Sequence, residues 1–156
     1  NTRALGLYTM EDSYDMVRGL MERTGFELPR RVQTLLIYGG GRHPGLMRAI
    51  FFALLENERW ERLNDERAIT EAIKQTIYTD PAVQDECYQI WDALSADERL
   101  VLARAASGKR PPDAGNAVAS LLAKSLLLEK EQGRYEVFSP VFAEFVRQDT
   151  PGSSSA

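Results

Sequence analysis

The sequence predicts a mainly α-helical chain in two parts. A small four-helix bundle occupies residues 1–79, and a winged helix-turn-helix with a two-stranded wing occupies residues 80–148. Apolar residues recur at three- and four-residue spacing along most of the chain. Glycine and proline divide that pattern at Gly25, at Gly39-Gly40-Gly41 and at Thr79-Asp80-Pro81. Only two short stretches near the C-terminal end read as strands. With 44% hydrophobic residues in a chain of 156, each part has enough apolar side chain for a core.

Thr9-Met10-Glu11-Asp12 sets a capping hydroxyl three residues before an acid, and Met16, Val17, Leu20 and Met21 then line the first helix to an end near Thr24-Gly25. Pro29 opens the second helix, whose face is Val32, Leu35, Leu36 and Tyr38, and Gly39-Gly40-Gly41 stops it. Pro44 occupies the first position of the third helix. Leu46, Met47, Ile50, Phe51, Leu54 and Leu55 give it a wide apolar face and mark it as buried. Asn64-Asp65 precedes a fourth helix with a narrow stripe of Ile69, Ile73 and Ile77.

Pro81 biases Asp80 away from helical geometry, so the boundary between the two parts is expected at Thr79-Asp80-Pro81. Val83, Cys87, Ile90, Trp91 and Leu94 share one helical face beyond it. Ser95-Ala96-Asp97-Glu98 is a capping box, opening a helix over residues 98–106 that Ser107-Gly108 ends. After Lys109-Arg110-Pro111-Pro112, Asp113 caps a third helix expected over residues 114–124. Leu126-Leu127-Leu128 and Tyr135-Glu136-Val137-Phe138 form a hairpin around Gln132-Gly133, and Pro140 starts a last helix with Val141, Phe142, Phe145 and Val146 inward. Residues 149–156, rich in Pro, Gly, Ser and Ala, read as a disordered tail.

Cys87 is the single cysteine, and the chain has no signal-peptide layout and no apolar run of membrane-spanning length. The expectation is a cytoplasmic protein without a membrane partner. The start at Asn1-Thr2-Arg3 supplies no folding signal, which points to a piece of something longer.

The net charge is -4, and it is unevenly spread. Residues 1–79 balance eleven basic against eleven acidic side chains, whereas residues 80–148 carry eight against eleven. Three helices and a wing are the arrangement whose third helix can enter a DNA major groove. Here that helix has no arginine, the commonest reader of guanine edges. Candidate DNA contacts are Lys109, Arg110, Asn116, Ser120, Lys124 and Arg134, but Glu129, Glu131 and Glu136 surround the wing and would repel phosphate. The charge pattern therefore favours a protein or interdomain contact over nucleic acid.

Gly39-Gly40-Gly41-Arg42-His43-Pro44 is the most unusual segment. A glycine run entering a proline-started helix is expected to expose backbone N–H groups at a positive helix end, where an anion or nucleotide can approach. No Gly-Lys-Ser/Thr follows and no strand precedes it, so it is not a phosphate-binding loop. On its chemistry alone, an ordinary helix-helix turn is the favoured account, because Gly and Pro are the usual punctuation there.

Gly40-Gly41-Arg42-His43-Pro44-Gly45-Leu46-Met47 resembles the Gly-Gly-His-Pro-type motif in the lid of archaeal-type AAA-like ATPases, and is similar to the Gly-x-Pro motif of STAND ATPases. This chain carries extra residues between glycine and proline. Residues 5–60 look like the lid helices of those families. Ile90-Trp91-Asp92-Ala93-Leu94-Ser95 with Glu98-Arg99, and Phe138-Ser139-Pro140-Val141-Phe142-Ala143-Glu144-Phe145-Val146, are similar to the winged helix that follows them. The resemblance implies that Pro44 lies against the adenine of a nucleotide, with Gly41, Arg42 and His43 beside it. It also implies a preceding ATPase core and downstream domains as partners, and ATP or ADP with Mg as that core's ligands.

The Lys-bearing glycine loop and metal-binding acid needed for ATP hydrolysis are not recognisable in the chain, and no catalytic residue is assigned. His43 is the only histidine, so neither a histidine-rich metal site nor a Cys-His pair close in sequence can be built, and Cys87 reads as core. The charges of residues 56–62 read as pairs on a solvated helical face. Trp60, Tyr78 and Trp91 read as core or interface packing. The leading expectation is thus a regulatory fragment, inert alone, that couples nucleotide state to winged-helix position. The alternatives are a winged-helix transcription regulator with residues 1–79 as a dimerisation or sensing domain, and a helical adaptor with no nucleotide link.

Overall fold

The fold comes from a computed structural model that describes residues 7–112 and 115–149. Among them the chain is mainly helical, with one two-stranded antiparallel sheet near its C-terminal end. Helices α1 (Met10–Thr24), α2 (Arg30–Gly39), α3 (Pro44–Glu56) and α4 (Glu66–Thr79) come first. They are followed by α5 (Pro81–Asp92), α6 (Ala96–Ala106), α7 (Ala117–Ala123), β1 (Leu127–Glu129), β2 (Tyr135–Val137) and α8 (Pro140–Asp149).

The punctuation in the sequence acts through identifiable caps. The Thr9 hydroxyl accepts the Asp12 N–H at 3.0 Å, and Gly25 ends α1 in the left-handed region at φ 72°. Asp65 and Asp80 cap α4 and α5 in the same manner. Ser95 and Glu98 exchange both bonds of the capping box, at 3.1 and 2.9 Å.

Helix α3 is the centre of the packing: Leu46, Met47, Ile50, Phe51 and Leu54 are all fully buried. It touches α1, α2 and α4 and, most extensively, α5. Thus α5, which lies past the Thr79-Asp80-Pro81 break, is held mainly by an element before it. Helix α8 packs on α6 and β2 and also reaches α2, α4 and α5, so one hydrophobic cluster runs from Val17 to Val146. In the hairpin, Leu127 pairs with Val137, Leu128 with Glu136 and Glu129 with Tyr135. In β2 exposed Glu136 alternates with half-buried Tyr135 and Val137, whereas burial along β1 falls steadily from Leu127 to Glu129.

Three details depart from the sequence expectations. The α-helix stops at Glu56, and a 3-10 helix covers Glu58–Arg62 instead of a solvated α-helical face. The cause is Trp60, which turns inward to 4% exposure and donates its indole N–H to the Leu54 carbonyl at 3.4 Å. Helix α7 begins at Ala117 and ends at Ala123, because Gly115 is left-handed at φ 58° and Asn116 is still a turn residue. The proposed cap Asp113, with Ala114, lies outside the described residues. Asp149 belongs to α8 and is not part of a tail; the rest of that expected tail, residues 150–156, is outside the described residues. No helix among the described residues is long and apolar enough to cross a membrane.

Candidate functional site

The glycine run and the start of α8 meet in the interior. Backbone N–H groups of Gly40, Gly41 and Arg42 bond back to Leu36, Tyr38 and Ile37, which folds the end of α2 into a tight turn. Two successive residues, Gly41 at φ 62° and Arg42 at φ 59°, are left-handed. Glycine takes that conformation freely, whereas for arginine it costs about 1–2 kcal/mol. Arg42 is held there by the segment before α1: its carbonyl accepts the Tyr8 N–H at 2.9 Å, and its guanidinium donates to the Tyr8 carbonyl at 2.9 Å.

Gly41 is glycine for a second reason. A Cβ there would lie 2.5 Å from the Phe138 carbonyl oxygen and 2.9 Å from the Ser139 Cβ. The turn is pressed against the junction of β2 and α8, and the contact is bonded. The Ser139 hydroxyl donates to the Gly39 carbonyl at 2.6 Å and accepts the Phe142 N–H at 3.0 Å. The His43 ring lies 5.9 Å from that of Phe138, which continues into Phe142 at 5.5 Å.

Most of the expected row of free N–H groups at the start of α3 is taken up. His43 is the N-cap, and its Nδ1 accepts the Leu46 N–H at 3.2 Å, while the Met47 N–H goes to the His43 carbonyl. Burial holds the His43 pKa below its ordinary 6.5, against a smaller upward pull from a backbone hydrogen bond, so the ring stays neutral and free to accept. The Glu86 carboxylate from α5 stands over Gly45. A carboxylate and a self-capped terminus make poor ground for phosphate, whereas Pro44, half-buried at the first helical position, keeps an apolar edge partly open.

The six candidate DNA contacts separate into unlike groups. Ser120 and Lys124 are engaged by Glu98: the hydroxyl donates to Oε2 at 2.6 Å and the ammonium at 2.8 Å, with the Lys124 side chain still half-exposed. Glu98 is 6% exposed, and burial alone would raise its pKa. The bonds from Lys124, Ser120 and the Ser95 backbone overcome that and bring it down to about 2. The exposed residues of α7 and its N-cap are then Asn116, Ala119 and Ala123, which offer little to read base edges with. Lys109, Arg110 and Arg134 are exposed and line one groove between the turn after α6 and the hairpin.

Cys87 is fully buried, as its apolar setting predicts. Among the described residues no group of three His, Cys, Asp or Glu side chains is placed to hold a metal ion. Sequence reasoning missed Ser139 and Glu86. The Ser139-Pro140 pair does signal a helix start, but a local signal cannot show that the same hydroxyl reaches the end of α2. No protein-family model, no curated protein and no solved structure matches this chain.

Proposed function

We propose that this chain is the lid and winged-helix region of a P-loop ATPase, and that it converts the nucleotide state of a preceding core into a change at the hairpin and α8. Its support is the buried joint in which Ser139 bonds Gly39 while Gly41 abuts Phe138. The helix that offers Pro44 to a nucleotide leaves the same turn that α8 is fastened to. A ligand that contacts Pro44 in one state only shifts the joint by its differential affinity. With Glu86 beside Gly45, the part of the nucleotide facing Pro44 is the uncharged base rather than a phosphate. Phosphates and Mg belong to the core, which supplies the lysine and acid that this sequence lacks, so the chain by itself turns over no ATP.

Hydrogen exchange on the intact parent, with and without ADP, tests the coupling. Protection should change together at residues 40–47 and 138–143. A response at 40–47 with 138–143 unaltered removes the coupling role.

A further inference from the structure

The groove of about 480 Å³ between the α6–α7 turn and the hairpin collects cations that the fold leaves unpaired. Most basic groups elsewhere in the second half have carboxylate partners: Arg99 faces Asp92, Lys124 faces Glu98 and Arg147 faces Glu144. Among the described residues Lys109, Arg110 and Arg134 have no ion pair and no side-chain hydrogen bond, although they come from turns more than twenty residues apart. The one acid in the lining, Glu136, is drawn toward Lys130 at 3.8 Å.

Both turns are stiff. Gly108 is left-handed at φ 73°, the Lys109 N–H returns to the Arg104 carbonyl at 2.8 Å, and the Arg104 guanidinium grips the Arg110 carbonyl at 2.7 Å. Across the groove, the Lys130 N–H bonds the Arg134 carbonyl at 2.6 Å around left-handed Gly133. The backbone therefore fixes where the three side chains start, and only the side chains themselves remain to be ordered when a partner arrives. Pro111 and half-buried Tyr135 add apolar surface between them.

We infer that this groove binds a short acidic segment of a partner protein, with carboxylates at Lys109, Arg110 and Arg134 and an apolar side chain against Pro111 and Tyr135. A DNA duplex fits less well. It presents a charge about every 1.7 Å along its axis, whereas the hairpin exposes Glu129 and Glu131, and the exposed positions of α7 and its N-cap are Asn116, Ala119 and Ala123. This site is separate from the Gly39–Ser139 joint, and its existence does not depend on the nucleotide role.

The test is fluorescence anisotropy with a labelled peptide of glutamates flanking one leucine, and with a mixed-sequence DNA duplex, on the whole chain. The peptide should bind, the duplex more weakly at the same salt, and peptide binding should vanish near 1 M salt, where screening acts over about 3 Å. Lys109→Glu and Arg134→Glu should each weaken peptide binding at least about fivefold, and Glu136→Gln should strengthen it. Lys74→Glu makes the same charge change away from the groove and should alter affinity by less than about twofold. No peptide binding, equal losses in Lys74→Glu and Lys109→Glu, or tighter binding to the duplex would each overturn the assignment.

Discussion

The Ser139 hydroxyl donates to the Gly39 carbonyl at 2.6 Å, joining residues one hundred positions apart in the interior. The same oxygen caps α8 through the Phe142 N–H. Ser139→Ala therefore removes a cap and a buried partner of a backbone carbonyl at once. The expected loss is about 1–3 kcal/mol, read as a lower urea midpoint. A midpoint within error of the unsubstituted chain would mean that the joint contributes nothing to the fold.

Gly41 and Gly108 are both left-handed, at φ 62° and 73°, but only Gly41 is crowded; a Cβ at Gly108 meets nothing within 4 Å. Gly108→Ala should lose about 1 kcal/mol from backbone strain alone. Gly41→Ala should lose at least about 2 kcal/mol more, because Phe138 and Ser139 have to move. Equal losses in the two variants, measured by denaturant unfolding, would show that the turn is not clamped by the β2–α8 junction.

The lowered pKa of His43 fixes the sign of a pH effect. Below about 6.5 the unfolded chain takes up a proton that the folded ring resists. The His43 contribution is thus complete above that pH and is lost as pH falls toward the lowered value, with a slope of at most about 1.4 kcal/mol per pH unit. His43→Asn keeps a capping side chain and has no titration, so its stability should stay flatter between about pH 7 and pH 5. Parallel stability profiles for the two proteins would contradict the neutral-cap role.

Glu98 titrates with the same sign at a lower pH. Its folded pKa of about 2 lies below the ordinary 4.5, so its contribution is complete above the ordinary value and disappears as pH falls through about 2. Acid unfolding of the native chain should therefore show roughly 2–3 kcal/mol of loss between about pH 5 and pH 2 that Glu98→Gln lacks. The variant should be the less stable protein at neutral pH, since Lys124 and Ser120 lose an ionised partner.

Helix starts were legible in the sequence for α1, α4, α5 and α6, whereas α7 begins after Asn116 and not after Asp113. Thr9, Asp65, Asp80 and Ser95 each accept the N–H three residues on, at the helix starts that their spacing marks. Where two local signals competed, tertiary packing decided. The charges of residues 56–62 spell a helix, but burying Trp60 against Leu54 breaks it into a 3-10 turn. The candidate site was half legible. Gly41 to Pro44 stood out by composition, while Ser139, Phe138 and Glu86 reach that turn only through the fold. Glu98 likewise reads as a simple capping residue, and nothing local reveals that its second oxygen recruits Ser120 and Lys124 from α7.

The nucleotide role proposed for the Gly41–Pro44 turn is tested most directly by titrating a fluorescent ADP analogue into the proposed full-length ATPase and its Pro44→Ala variant. The proline ring presets the first turn of α3 and removes an N–H that the turn does not need, so alanine should cost the fold little. If Pro44 faces the base, affinity should fall several-fold, corresponding to the roughly 1–2 kcal/mol of a lost apolar contact and lost preorganisation, with the urea midpoint nearly unmoved. Unchanged nucleotide affinity in a well-folded Pro44→Ala parent would contradict the account and leave the segment as a turn between two helices.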